Sequence, residues 1–85
     1  MTPEQCRAAR GWLDWSQSDL AAAANVSLST VRDFEKGRRV PIGNNLAAIR
    51  AALEAKGMGF VYADEGGKSL ACGVTYADPE LGAAR

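Results

Sequence analysis

The chain contains no histidine, and that absence removes several chemistries at once. Without imidazole there is no Ser-His or Cys-His nucleophile pair, no HExxH zinc site and no finger built on two cysteines and two histidines. Cysteine is scarce. Cys6 and Cys72 lie far apart and match no CxxC pattern, so both are expected to be buried reduced thiols without a disulfide or redox role. No apolar stretch approaches the roughly 18 residues that a membrane helix needs, and the N-terminus lacks a basic segment followed by an apolar block and a cleavage site. A cytoplasmic protein with no membrane partner is the expectation. No clustered set of Asp, Glu, Lys, Tyr or Cys forms a catalytic constellation either, so neither an enzyme nor a cofactor is expected.

Net charge is also missing, with 10 Lys and Arg against 10 Asp and Glu. A balanced total argues against nucleic acid, because basic groups that release counterions supply most non-specific affinity. The distribution argues the other way. Residues 1–50 hold Arg7, Arg10, Arg32, Lys36, Arg38, Arg39 and Arg50 against Glu4, Asp14, Asp19, Asp33 and Glu35, whereas residues 51–85 hold three cations against five anions. The charge divides as +2 and −2, with the densest basic run at residues 36–39. At 85 residues the chain makes one domain, which buries a smaller fraction of its surface than a typical domain does. A partner subunit would add stability.

What is present is a series of helix starts and stops. Thr2 can cap a first helix, with Pro3 at its first position and Gln5 placed to complete a capping box, over about residues 3–11. Ser16, with Asp19 three residues on, starts a second helix through the strong helix formers of residues 20–24. Asn25 stops it, since Asn tolerates the left-handed conformation. Only Val26 then precedes the next cap, Ser27, and a third helix running through Lys36 to a stop at Gly37. Two helices joined by so short a turn cross sharply, which is the helix-turn-helix unit. Away from Leu28, Val31 and Phe34, the third helix shows Ser29, Thr30, Arg32, Asp33 and Lys36. Taken alone this polar side fits a solvated face, yet the same small hydrogen-bonding groups could approach a base edge.

Asn44 is placed to cap a fourth helix whose Leu46, Ile49 and Leu53 form a core stripe ending at Gly57. The period then changes. Residues 60–62 and 70–76 read as strands around a glycine-bearing loop, with large apolar residues alternating at 70, 72, 74 and 76. Residues 78–85 read as a flexible tail.

Gln17-Ser18-Asp19-Leu20-Ala21, then Asn25-Val26-Ser27, then Thr30 to Arg39 with its Phe34-Glu35-Lys36-Gly37 core, then Pro41 resembles the Cro/C1-type (XRE) helix-turn-helix family over about residues 5–55. The resemblance implies double-stranded DNA as partner. It places Gln17 and Ser27 on phosphates at helix starts, where free amides and the positive dipole end point outward. Leu28, Ser29, Arg32 and Asp33 would enter the major groove, flanked by Thr30 and Lys36. Arg32 is the first candidate for base reading, through a bidentate pair with guanine; Asp33 would accept from cytosine N4 or orient Arg32. Arg38 and Arg39 would lie along the backbone. Arg10 and Glu35 match a structural ion pair of the family's phage repressors. Trp12 and Trp15 are expected to pack the corner before helix two.

Two departures stand out. Asn25 replaces the usual Gly or Ala of the turn, and a hairpin replaces the usual fifth helix. A lone two-stranded ribbon is marginal, so it should pack on helix four or pair with the same hairpin of a second subunit. The resulting expectation is a mainly α, four-helix lambda-repressor-like domain at residues 1–57, a dimerising β-hairpin at 58–77 and a tail at 78–85. Function would be that of a transcriptional regulator, a repressor binding an inverted repeat as a homodimer, or else of an antitoxin that covers a toxin protein with its C-terminal extension.

Overall fold

In the computed structural model, which describes residues 1–80, four helices precede an antiparallel hairpin. They are α1 (Pro3–Leu13), α2 (Gln17–Ala24), α3 (Leu28–Glu35) and α4 (Gly43–Glu54), then β1 (Met58–Glu65) and β2 (Lys68–Tyr76). The first three helices each start on a hydroxyl. Thr2 and Gln5 close a reciprocal capping box at 3.0 and 3.2 Å, Ser16 and Asp19 close another at 2.9 Å, and Ser27 accepts from the Thr30 amide at 3.2 Å.

The same three helices stop by one device. Asp14 and Asn25 at φ 56° and Gly37 at φ 72° turn left-handed. The next amide then reaches back to the carbonyl five residues earlier: Trp15 to Arg10, Val26 to Ala21, and Arg38 to Asp33, at 3.0, 3.0 and 2.9 Å. Because Gly11 stays helical and Asp14 makes the closure, α1 runs two residues past its expected end.

α4 departs from expectation at its start. The Asn45 and Leu46 amides bond the Ile42 carbonyl at 2.9 and 3.1 Å, which makes Ile42 the capping residue and leaves Asn44 inside the first turn. Asn44 therefore cannot cap, and no side chain does.

Cys6, Ala9, Leu20, Val31, Ile49 and Leu53 are fully sequestered, with Phe34 and Met58 nearly so. Each larger apolar side chain among them contributes about 1.5 to 3 kcal/mol by leaving water. Ala21 and Ala24 turn inward, and their small size lets α2 lie close to its neighbours. No helix among the described residues is long and apolar enough to cross a membrane.

The hairpin turns on Gly66 and Gly67, both at positive φ (59° and 80°), the arrangement of a two-residue turn whose twist suits the strands. Met58 pairs with Tyr76 and Phe60 with Val74, but the register shifts between Val61 and Tyr62. Cys72 is the extra residue, so the expected alternation of 70, 72, 74 and 76 on one face fails. Leu70 pairs with Ala63 and faces away from Phe60 and Val74. Cys72 is exposed, contrary to the expected pair of buried thiols.

Of the two expected ways to support the ribbon, packing on the chain's own helices is realised. Met58 is buried, Phe60 and Val74 pack at the core's edge, and both α1 and α4 touch the sheet. Gly57, at φ 97°, lets the chain fold back so that the Ala77 amide bonds its carbonyl at 2.9 Å; a side chain there would collide with the Ala77 carbonyl. Residues 81–85 of the expected tail lie outside the described residues.

Candidate nucleic-acid interface

α3 is divided along its length. Val31, Phe34 and Glu35 face inward and Leu28 packs half-buried against the core, while Ser29, Arg32 and Lys36 are exposed and Thr30 and Asp33 lie between. Leu28 thus sits at the boundary between core and outer face, and the fully outward positions belong to Ser29 and Arg32. At the start of the helix the Ser27 hydroxyl lies 2.7 Å from that of Thr30 and 3.1 Å from that of Ser29. Three residues expected to act separately form one hydroxyl cluster. The capping bond occupies the third amide of the helix and leaves the first two without a helical partner.

At the other end, the closure on Gly37 folds Arg38 and Arg39 back so that both amides bond the Asp33 carbonyl, at 2.9 and 3.4 Å. This closure brings Arg39 beside Ser29, Thr30 and Asp33, which together with Val40, Pro41, Ile42 and Asn45 line a cleft of about 220 Å³. Val40 and Ile42 are 76% and 69% exposed on its rim. Arg32 lies outside the cleft, and it forms no ion pair with Asp33. Among the described residues, the guanidinium and ammonium groups of Arg32, Lys36, Arg38 and Arg39 have no carboxylate partner. Four cations without a carboxylate partner thus stand along and just past the C-terminal half of α3, in a chain that carries no net charge.

Behind that face, Glu35 gathers four donors on two oxygens. Arg10 forks onto both, with Nε to Oε2 and Nη2 to Oε1 at 2.7 Å each; the Cys6 thiol donates to Oε2 at 3.1 Å and Gln17 Nε2 to Oε1 at 3.0 Å. The Glu35 side chain is 1% exposed and that of Arg10 18%. Burial pushes the Glu35 carboxyl up, but the bonds from Arg10, Gln17 and Cys6 outweigh it and hold the group below the ordinary carboxylate range. Cys6 moves the other way: burial and then the neighbouring carboxylate push its thiol far up, so it stays protonated. Arg10 also reaches the Trp15 carbonyl at 2.9 Å, and Arg7 donates to the Glu35 carbonyl at the end of α3.

Sequence reasoning paired Arg10 with Glu35 but missed Cys6, Arg7 and Gln17 around them. Cys6 had a signal, since it stands four residues before Arg10 on the same side of α1. Gln17, expected to reach outward to a phosphate, turns its amide nitrogen inward here. Trp15 packs half-buried with the Lys56 ammonium 6.0 Å from its ring centroid. Trp12, expected at the same corner, is 64% exposed and lies on Tyr76 with centroids 5.5 Å apart, because the longer α1 presents it to the hairpin.

A family model described as helix-turn-helix matches residues 7–57, the stretch from early α1 to the last residue before β1. No curated protein matches the chain.

Proposed function

The chain belongs to the Cro/C1-type helix-turn-helix family, whose members bind DNA and regulate transcription, and from that premise we propose a sequence-specific repressor that binds an inverted repeat as a homodimer. The observation that carries this reading is the outer face of α3. Ser29, Arg32 and Lys36 are exposed on a helix whose other side is fixed to the core, and free cations flank its C-terminal end. In this reading Arg32 reads guanine, Ser29 and Asp33 contact base edges, and Leu28 touches the groove with the part of its side chain that the core leaves open. Ser27, Thr30, Lys36, Arg38 and Arg39 hold the backbone. Gln17 joins them by a rotation of its side chain that releases Glu35. Two such helices would enter successive major grooves with half-sites centred about 34 to 36 Å apart.

The dimer contact assigned to residues 58–77 is supported by the large apolar side chains left exposed on the hairpin, with Tyr76, beside Trp12, and Tyr62 on one face and Leu70 on the other. The same exposed side chains favour a second reading, an antitoxin whose hairpin is covered by a toxin protein. Sedimentation equilibrium separates them: a dimer at about ten micromolar supports self-association, and a monomer at that concentration removes the homodimer. DNA recognition is tested by fluorescence anisotropy at about 150 mM salt with a duplex selected from a random pool and a scrambled control. A preference of about a thousandfold is expected. Equal weak binding to both would overturn the reading.

A further inference from the structure

Gln5 and the hairpin both fall outside the matched stretch, yet they are joined. Gln5 is 3% exposed, and its side-chain Nε2 donates to the Val61 carbonyl at 3.1 Å and to the Gly73 carbonyl at 3.0 Å. Val61 and Gly73 are paired residues on opposite strands, at the place where the register shifts. The carboxamide oxygen is also used, on the Thr2 amide. All the bonding capacity aimed inward is therefore committed, and the bulge is gripped by both of its strands.

α1 faces two ways. Gln5, Ala9 and Trp12, at spacings of four and three, form one stripe that meets the hairpin at Gly73 and Tyr76. Cys6 and Arg10, four apart, with Arg7 beside them, form a second stripe that holds the carboxylate and the carbonyl of Glu35, the last residue of α3. One rigid turn of helix thus grips the hairpin with one residue and the end of the recognition helix with the next two.

We propose that Gln5 is a positioning residue through which the C-terminal hairpin sets the placement of α3, so that the hairpin is part of the DNA-reading unit and not a separate extension. The proposal rests on the DNA-binding reading for its functional consequence, but its structural half does not. Coupling between two sites is reciprocal: if the hairpin holds α3, then DNA held by α3 must quiet the hairpin.

Amide hydrogen exchange on the full chain tests both halves with Gln5→Met, which fills similar space without donors. In the free protein, exchange of the amides at residues 34–38 should rise along with that of β1 and β2. On a duplex selected by the wild-type protein, preference over a scrambled duplex should fall about fivefold or more. The DNA-induced slowing of exchange at residues 61 and 73, present in the wild type, should disappear. Tyr76→Ala, which releases the other end of the stripe at an exposed position, should act in the same direction with a smaller effect and serves if Gln5→Met does not fold. Rise of hairpin exchange with residues 34–38 unchanged overturns the proposal, as does slowing of the hairpin by DNA that survives in Gln5→Met, since the hairpin would then touch DNA directly. A wild type without preference for any duplex would instead overturn the function proposed above, while exchange at residues 34–38 would still decide whether α1 transmits.

Discussion

Arg32 and Arg38 carry the same charge but stand in different places, one on the outer face of α3 and the other folded back past its end on the Gly37 closure. Arg32→Ala should weaken binding to the selected duplex by about 1 to 3 kcal/mol and relax preference at one base pair. Arg38→Ala should weaken selected and scrambled duplexes alike and reduce the salt slope by about 1 per protomer. Titrations of both variants on both duplexes decide the matter, and equal losses everywhere would abolish the division of roles. Glu35 belongs to stability. Replacing it by Gln leaves Arg10 without its counter-charge and should cost about 3 to 5 kcal/mol, a large share of the roughly 4 to 13 kcal/mol expected for a chain of this length. Its pH dependence has a definite sign. A carboxyl held low in the folded state contributes fully above its unfolded value, about 4.3, and loses that contribution as the pH falls through the folded value. Wild-type melting temperature should therefore drop steeply below about pH 4, and the Glu35→Gln curve should lack that component. The Arg10–Glu35 pairing was legible from the spacing of a known pattern. The Cys6 thiol had its spacing from Arg10 as a signal, whereas Arg7 and Gln17 had none, because their reach to Glu35 depends on how α1 and α2 meet the end of α3.

Helix boundaries are where the sequence spoke most directly, since hydroxyls, carboxamides and glycines act on the backbone within four residues of themselves. Thr2, Ser16, Ser27, Asn25 and Gly37 act as their types predict. Asn44 misled because the helix begins two residues early, on the Ile42 carbonyl, which leaves Asn44 inside the first turn where its side chain cannot cap. Two substitutions test the element scale. Asn25→Ala places an ordinary Cβ at φ 56° and should cost about 1 to 2 kcal/mol in urea denaturation, whereas Asn25→Gly should be neutral or slightly stabilising. Gly57→Ala combines positive φ with a collision against the Ala77 carbonyl and should cost about 1 to 3 kcal/mol, with loss of the near-ultraviolet signal from the Trp12–Tyr76 contact. The hairpin's existence was legible from period and glycines. Its bulge was not, since alternation continues on paper through an extra residue, and so Leu70 was assigned to the wrong face.

At the scale of the molecule, folding sets apart the cations along and just past α3 in a chain with no net charge. Arg10 is spent on Glu35 and Arg50 on Glu54, the latter at 3.2 Å, while the cations around α3 stay free. The uneven charge of the two halves was readable from the sequence, but which cations remain unpaired was not. Nor could composition show that the hairpin is stitched to α1 by Gln5, because a buried carboxamide looks like any surface glutamine until its partners, 56 and 68 residues away, are in place. In the proposed complex α3 reads DNA sequence as one of a symmetric pair. Selection of duplexes from a random pool by the wild-type protein, followed by sequencing, tests this most directly. Two inverted half-sites centred about one helical turn apart should be enriched, with a guanine whose selection disappears in Arg32→Ala. A pool that emerges without enrichment, or with a motif indifferent to Arg32, would contradict the proposed complex.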